Sequence, residues 1–286
     1  MTGVLFACLA GFFFGALNIT MRRGLARVPD VDAGSAVIAS VALVLVGVTA
    51  LLSGSDLFDA GELWPFVLVG MLVPGLSQVL VVHAVQAAGA SRAGILFGMS
   101  PLFSAVIAIV AFGEPLRWPL VVGTLLVVSG GIVLAWEGDR PAEYRALGAV
   151  LAVSVAVMFG GRDNVSRAVI ENVSTDALAQ ATAVMLGATI ILVPNLLRQS
   201  SAPARFRAAL PAFAPSALVT ALAQVALFEA LDRARVTVTA PLMGTGVLWT
   251  VVLAAIFLRH SELVGRRLFV VALLVVAGGA IVAGTR

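Results

Sequence analysis

Ten apolar stretches, each about 20 residues long, follow one another along the chain and are joined by short connections that hold most of its charges. A helix needs about 20 mainly apolar residues to cross the hydrocarbon core of a bilayer, which is about 30 Å thick. The chain is therefore predicted to be an all-α membrane protein with ten transmembrane helices, which we place at 3–21, 33–52, 63–85, 93–112, 118–136, 147–166, 176–197, 209–231, 236–258 and 267–284.

The composition excludes several classes of protein. Of the 286 residues, 60% are hydrophobic and 12% are charged, whereas soluble globular proteins have about 45–50% apolar and about 25% charged residues. This imbalance excludes a water-soluble enzyme and a disordered chain. The net charge of +3 comes from scattered arginines without a run of five like charges, so no nucleic-acid partner is expected.

The two halves of the chain repeat each other. An offset of 146 aligns residues in the first three helices of each half: Phe13/Phe159, Gly15/Gly161, Asn18/Asn164, Gln78/Gln224 and Ala84/Ala230. An offset of 148 aligns residues in the later helices: Glu114/Glu262 and Gly130-Gly131/Gly278-Gly279. Five helices per repeat is an odd number, so the second copy is expected to be inverted in the membrane, an arrangement typical of alternating access. We place the first repeat at 1–138, a linker at 139–146 and the second repeat at 147–286.

These positions also carry a resemblance to a known family. Phe14-Gly15 with Asn18 in the first helix, Gly113-Glu114 closing the fourth, and the Gly-Gly pairs of the fifth and tenth resemble the ten-helix EamA-type branch of the drug/metabolite transporter superfamily. The resemblance implies a secondary transporter in which helices one to four and six to nine line a central cavity. Efflux of amino acids or related compounds is the task that it implies.

The motifs of enzymes are missing from the sequence. It contains no phosphate-binding loop, no His-Glu-x-x-His and no Gly-x-Ser-x-Gly, and it has two histidines and one cysteine. We therefore expect no enzyme activity, no metal and no cofactor, and an ion or solute gradient as the driving force.

Three charged residues in the apolar stretches are the first candidates for a substrate site, because a charge at the centre of a membrane helix costs about 2.5–3.5 kcal/mol. A pair between Arg162 and Glu229, with Asp163 facing a cavity, would suit an amino-acid-like zwitterion. Alternatively, Asp163 pairs with Arg167 four residues on, and both side chains reach towards the membrane surface.

Amides and aromatic residues complete the candidate substrate site. The amides either line the cavity or join neighbouring helices; they are Asn18, Asn164, Gln78 and Gln224. The aromatic side chains either form apolar walls of the cavity or face lipid and packing partners; they are Phe13, Phe159 and Trp249.

Glycine and proline predict local geometry. Gly11-x-x-x-Gly15 and Gly94-x-x-x-Gly98 are expected to allow close helix approach. Prolines remove helical hydrogen bonds, so bends are expected at Pro74, Pro101 and Pro241.

The predicted function is export of small metabolites, amino acids or related compounds, across a bacterial-type plasma (inner) membrane. Alternatives are a flippase for a lipid-linked intermediate and a membrane scaffold or accessory subunit without a substrate. The expected partners are a small-molecule substrate and membrane lipid, with the chain a monomer or a homodimer.

The orientation has two conflicting predictions. Twelve of the 18 basic residues lie in the connections after helices one, three, five, seven and nine, and the positive-inside rule then places both termini outside. The family resemblance implies termini inside.

Overall fold

The structure, a computed structural model, describes residues 2–57, 59–112, 118–135, 145–170, 173–233, 242–258 and 265–283. All regular secondary structure in these ranges is helical, and it forms ten apolar helical regions that coincide with the ten predicted spans. They are α1 (Thr2–Arg27), α2 (Val31–Ser53), α3 (Ala60–Ala88), α4a (Ala90–Phe97) with α4b (Ser100–Phe112), α5 (Trp118–Ala135), α6 (Ala146–Ile170), α7 (Ala177–Leu197), α8 (Ala202–Arg233), α9 (Gly246–Phe257) and α10 (Arg266–Ala283).

Six helices in the described part of the chain are long and apolar enough to cross a membrane: α1, α2, α3, α6, α7 and α8. The other apolar helices are shorter. Helices α5 and α10 have 18 residues each, which gives a length of about 27 Å. The protein is therefore a multi-pass, all-helical membrane protein.

Two helices are interrupted. Within α3, the segment Met71–Leu76 has wider, π-type turns, and Val73 leaves the helical conformation at φ −140° and ψ 114°. Val73 precedes Pro74, and proline disfavours the α conformation of the residue before it. The bend predicted at Pro74 is therefore confirmed. The fourth span, expected as one segment at 93–112, is instead divided at Gly98 and Met99, just before Pro101. Pro241 lies outside the described residues.

The strongest helix pairs join one half of the chain to the other. Helix α1 packs on α8 and α9, while α6 packs on α3 and α4; helix α2 packs on α7 and α8, and α7 packs on α3. Exchange of the two halves converts α2–α7 into itself and each of the other pairs into another observed pair. Helices α5 and α10 pack on each other, and a Cβ at Gly278 would lie 2.6 Å from the carbonyl oxygen of Gly123.

The glycine spacings have the predicted effect. A Cβ at Gly15 would lie 2.7 Å from Trp249 Cβ and 2.9 Å from the carbonyl oxygen of Gly246. At Gly94 a Cβ would lie 2.7 Å from Thr250 Cγ2. Close approach of α1 and α4a to α9 is confirmed.

One end of the bundle, which we call face A, contains the ends of α1 and α3 and the beginnings of α2, α6 and α8. Arg22 Nη1 donates to the carbonyl oxygen of Gln86 at 3.0 Å, and the Arg145 N–H donates to that of Ala87 at 2.7 Å. The opposite end, face B, contains the beginning of α7 and the end of α2, where Ser55 Oγ donates to Asp176 at 3.0 Å. Helix α1 therefore ends at the face where α6 begins.

The described residues at face A are tightly packed. Every residue of α4a is buried, and this short helix, which we call the plug, packs between α6 and α9. Phe213 of α8 is fully buried against Gly24 and Gly34, where a Cβ would lie 2.9 Å and 2.6 Å from its ring. In the second half, the offset of 148 aligns the end of the plug with Leu242–Thr245, whose four residues are only partly buried.

Candidate functional site

A junction of three helices lies between the plug and the centre of the bundle. Asn18 of α1 donates from Nδ2 to Thr250 Oγ1 of α9 at 3.1 Å, and Thr250 Oγ1 donates to the carbonyl oxygen of Gly246 at 2.9 Å. Their exposed fractions are 8% and 1%. The missing side chain of Gly94 lets the plug reach Thr250, so Asn18 and Thr250 join α1, α9 and α4a.

The matched amide of the second half has a different partner. Asn164 Nδ2 donates to the carbonyl oxygen of Gly160, four residues earlier on its own helix, at 2.9 Å. The two asparagines are both buried; the hydrogen bond from Asn18 to Thr250 joins two helices, whereas the bond from Asn164 to Gly160 lies within α6.

The glutamines lie on α3 and α8 and are both 5% exposed. Gln78 Nε2 donates to the sulfur of Met21 at 3.6 Å, which joins α3 to α1. Gln224 lies on the part of α8 that is buried in the bundle. Both amides are therefore placed inside the protein and away from lipid.

Arg162 lies on α6 and is partly exposed. Its guanidinium carbon is 5.3 Å from the centroid of the Phe159 ring, a cation–π distance. Phe159 in turn lies 6.1 Å from the ring of Phe97, the last residue of the plug. Arg162 is thus connected through two aromatic rings to the segment that closes face A. The side chain of Asp163 lies outside the described residues.

Glu229 forms its ion pair with Arg233, with Arg233 Nη2 at 2.5 Å from Glu229 Oε2, and Arg233 lies over the ring of Phe6 at 5.3 Å. The pair expected between Glu229 and Arg162 is replaced by this local one. The reason is the helix arrangement, because α6 packs on α3 and α4, whereas α8 packs on α1, α2 and α7.

The aromatic candidates do not gather in one place. Phe12 makes edge-on contacts with Phe13 at 5.6 Å and with Trp249 at 5.3 Å. Trp249 is 40% exposed. Ile256, seven residues further along and on the same side of α9, is 60% exposed. Phe12 and Trp249 therefore meet where α1 packs on α9, Phe13 packs against a buried cluster that includes residues of α2, α7 and α8, and Phe159 lies on α6.

Comparison with known proteins agrees with this architecture. The model of the EamA-like transporter family matches residues 1–136 and 146–284. The chain belongs to this family. It is also 29% identical over 134 residues to a protein of Methanothermobacter thermautotrophicus named an uncharacterized transporter. That match covers 46% of this chain and spans 39% of the relative's length.

A solved crystal structure matches this EamA-like transporter over 98% of the chain and 95% of its own length, with a TM-score of 0.61 and 16% sequence identity. At that identity the likeness shows the fold alone. The family match, for its part, makes this chain a member of the drug/metabolite transporter superfamily.

Sequence reasoning missed two buried polar residues of the transporter. Thr250 stands in an apolar run, and its pairing with Asn18 depends on how α1 and α9 pack. Arg92, which the charge count places at the membrane surface, is 1% exposed within the plug. Its neighbours in the sequence, Ala90, Ser91, Ala93 and Gly94, are small, and this was the available signal that the segment approaches other helices closely. In the described part of the chain, no three His, Cys, Asp or Glu side chains come together as metal ligands.

A polar network at face A holds the connection between α1 and α2 to α8. Arg205 binds Asp30 through two bonds, Nε to Oδ2 and Nη2 to Oδ1, both 2.6 Å. Asp30 also caps α2 by accepting from the Ala33 N–H at 3.0 Å. Gln199 donates to Asp32 at 2.9 Å and accepts from Arg205. The hydrogen bonds from Arg205 lower the pKa of Asp30 from its ordinary value of 3.8.

Asp30→Asn is expected to lower the Tm of the transporter at pH 7 and to flatten its dependence on acid. Because the pKa of Asp30 is lower in the folded protein, the carboxylate contributes stability above its unfolded pKa and loses it as the pH falls through the folded value. Thermal unfolding of the detergent-solubilised protein between pH 7 and pH 3 measures this. The control is Asp232→Asn, at an exposed position near the end of α8, and equal curves for wild type and Asp30→Asn would contradict the prediction.

Proposed function

We propose that this membrane transporter is a secondary transporter that exports small metabolites, amino acids or related compounds, across a plasma membrane by alternating access. The observation that carries the proposal is a difference in burial between two matched segments. Residues 94–97 of the plug are buried at face A, whereas residues 242–245, which the offset of 148 aligns with them, are partly exposed. A bundle in which one of two matched segments is packed and the other is looser is what a carrier is expected to be in one of its two states.

The proposal includes two inverted repeats, at 1–138 and 147–286, joined by a linker at 139–146. Two features support it: α1 ends at the face where α6 begins, and the helix pairs correspond when the halves are exchanged. An inverted pair of repeats has two nearly equivalent packings, one open to each side.

The substrate site is proposed to lie between the plug and face B. Arg162 would bind the carboxylate of a zwitterionic substrate and Asp163 its ammonium group, and the ring of Phe159 would contact its apolar part. The buried amides would supply hydrogen bonds, while Glu229 would act near face B and Phe13 and Trp249 at its edge. Burial of the amides and the contact of Arg162 with Phe159 support this site. The amides are Asn18, Asn164, Gln78 and Gln224.

Uptake into proteoliposomes tests the proposal. We expect purified protein to move radiolabelled amino acids, and related small metabolites, down an imposed gradient. Labelled lipid-linked sugar is the comparison substrate, and movement of that lipid alone would establish a flippase instead. Absence of flux for both classes would favour a scaffold or accessory subunit. Protein-free liposomes provide the background.

The positive-inside rule predicts that face A is cytoplasmic. Arg22, Arg145 and Arg205 lie at this face, so a reporter that is active only in the cytoplasm is expected to be inactive when fused after Arg286. A matched fusion in the α7–α8 connection, after Gln199, is expected to be active. The reverse pattern would show that the family's usual orientation applies.

A further inference from the structure

We propose that the hydrogen bond between Asn18 and Thr250 is a one-sided clamp that holds the transporter closed at face A in its resting state. This inference rests on the proposed alternating access. It assigns Thr250, which lies outside the proposed substrate site, a positioning role: its hydroxyl decides which face of the empty transporter is closed.

The contacts of Thr250 place it between α1 and the plug. Its hydroxyl accepts from Asn18 of α1 at 3.1 Å, and its methyl group fills the space beside Gly94 of the plug. Just past the end of the plug, a Cβ at Gly98 would overlap the side chain of Val247. The plug is therefore packed on the part of α9 that Asn18 holds against α1.

The acceptor needed for the mirrored clamp is missing from the first half. The offset of 148 that aligns the glycine pairs of α5 and α10 aligns Thr250 with Leu102. Leucine cannot accept a hydrogen bond, and Leu102 is buried in α4b with 8% exposed. Asn164, the counterpart of Asn18, donates to Gly160 within α6.

At this matched pair of positions, Asn18/Thr250 and Asn164/Leu102, the two proposed states consequently differ by one buried interhelical hydrogen bond. With face A closed, Asn18 binds Thr250. In the mirrored state, with face B closed, Asn164 would meet Leu102 and gain no such bond. A buried hydrogen bond of this kind changes an equilibrium by about two- to tenfold, so the clamp favours closure at face A by that factor.

Cysteine labelling of the purified full-length protein in liposomes measures the two states. In a Cys8→Ser background, one reporter is Ala90→Cys at the beginning of the plug, where the wild-type residue is 0% exposed. The other is Met243→Cys, at a partly buried position of the face-B counterpart. A maleimide is the probe, and labelling rates at the two reporters report opening of face A and face B.

Thr250→Val keeps the shape of the side chain and removes the hydroxyl. It is expected to raise labelling at Ala90→Cys about two- to tenfold and to lower labelling at Met243→Cys. Thr250→Ser, which keeps the hydroxyl, is the matched control and is expected to label as wild type. Asn18→Ala combined with Thr250→Val should add little to either change alone, because both remove the same bond.

Leu102→Thr is the independent test, since it supplies the missing acceptor in the first half. The added hydroxyl can bond to its own helix when unused, as Thr250 does with Gly246. This variant is expected to shift labelling in the same direction as Thr250→Val. Thr250→Val and Leu102→Thr proteins that both fold and both label like wild type would overturn the clamp.

The experiment separates the clamp from the proposed function. If the labelling changes occur and no amino acid or metabolite is transported, the clamp is retained and the function is wrong. If amino acids are transported and neither variant changes the labelling, the function is retained and the clamp is wrong. Should Thr250→Val fail to fold, the result of Leu102→Thr alone decides.

Discussion

Gly187→Val is expected to abolish the accumulation of folded protein. Gly187 of α7 and Gly70 of α3 lie where these helices meet backbone to backbone: a Cβ at position 187 would overlap the carbonyl oxygen of Val67 and lie 2.7 Å from the Met71 nitrogen. Because both neighbouring atoms are backbone, no flexible side chain can move aside, and the two helices must separate. Overpacking of a core commonly costs about 1–3 kcal/mol, and separation of two helices exceeds that range.

The measurement is the monodisperse peak of a fluorescent fusion on size-exclusion chromatography, together with its Tm. Gly47→Val is the matched control. Gly47 is also a helical glycine, in α2, and a Cβ added there would lie 3.6 Å from Thr182 Cγ2, an ordinary van der Waals distance. It should give a peak and a Tm close to those of wild type. A folded Gly187→Val protein with an unchanged Tm would show that α3 and α7 pack less closely than described here.

Arg162→Ala is expected to reduce transport to the background level while folded protein remains in the membrane. Arg162 lies eight residues before the end of α6, about 12 Å from that end along the helix axis. Insertion of a charged side chain at this depth in the membrane costs free energy. If Arg162 binds the substrate carboxylate, its loss removes a charge-assisted hydrogen bond, which is about twice as strong as a neutral one. Initial rates of uptake into proteoliposomes measure the effect.

Two variants sharpen this result. Arg162→Lys keeps the charge and loses the planar guanidinium over Phe159, so it should retain part of the activity with a higher KM. Arg207→Ala removes an exposed arginine near the beginning of α8 and should transport as wild type. Normal transport by Arg162→Ala, with unchanged apparent affinity, would show that the site lies among the amides and aromatic residues.

Features that depend on local sequence were predictable. The ten spans follow from the lengths of the apolar stretches, the bend in α3 follows from Pro74, and the close contacts of Gly15 and Gly94 follow from glycine spacing. In each case one short segment contains the physical cause. The division of α4 was only partly predictable, because Pro101 marks its place and leaves open whether the helix bends or ends.

Features that depend on which helices meet were not predictable from the sequence. Glu229 is four residues from Arg233 and pairs with it, and only the packing of α8 away from α6 excludes Arg162 as its partner. Asn18 was a candidate for substrate contact or for helix contact, and only the position of α9 identifies Thr250 as its partner. Arg92 carries a charge that predicts exposure, yet the small residues beside it allow its burial.

The interleaving of the two halves has a consequence for how such a chain could have arisen. Because the strongest helix pairs run between the halves, a five-helix ancestor would leave the faces of its own α1, α2 and α3 without partners. It would be stable only as an antiparallel pair of identical subunits, with each subunit inserted in the opposite orientation. Fusion of two copies would then have fixed both orientations in one polypeptide and freed each half to diverge, as the pair Thr250/Leu102 has done.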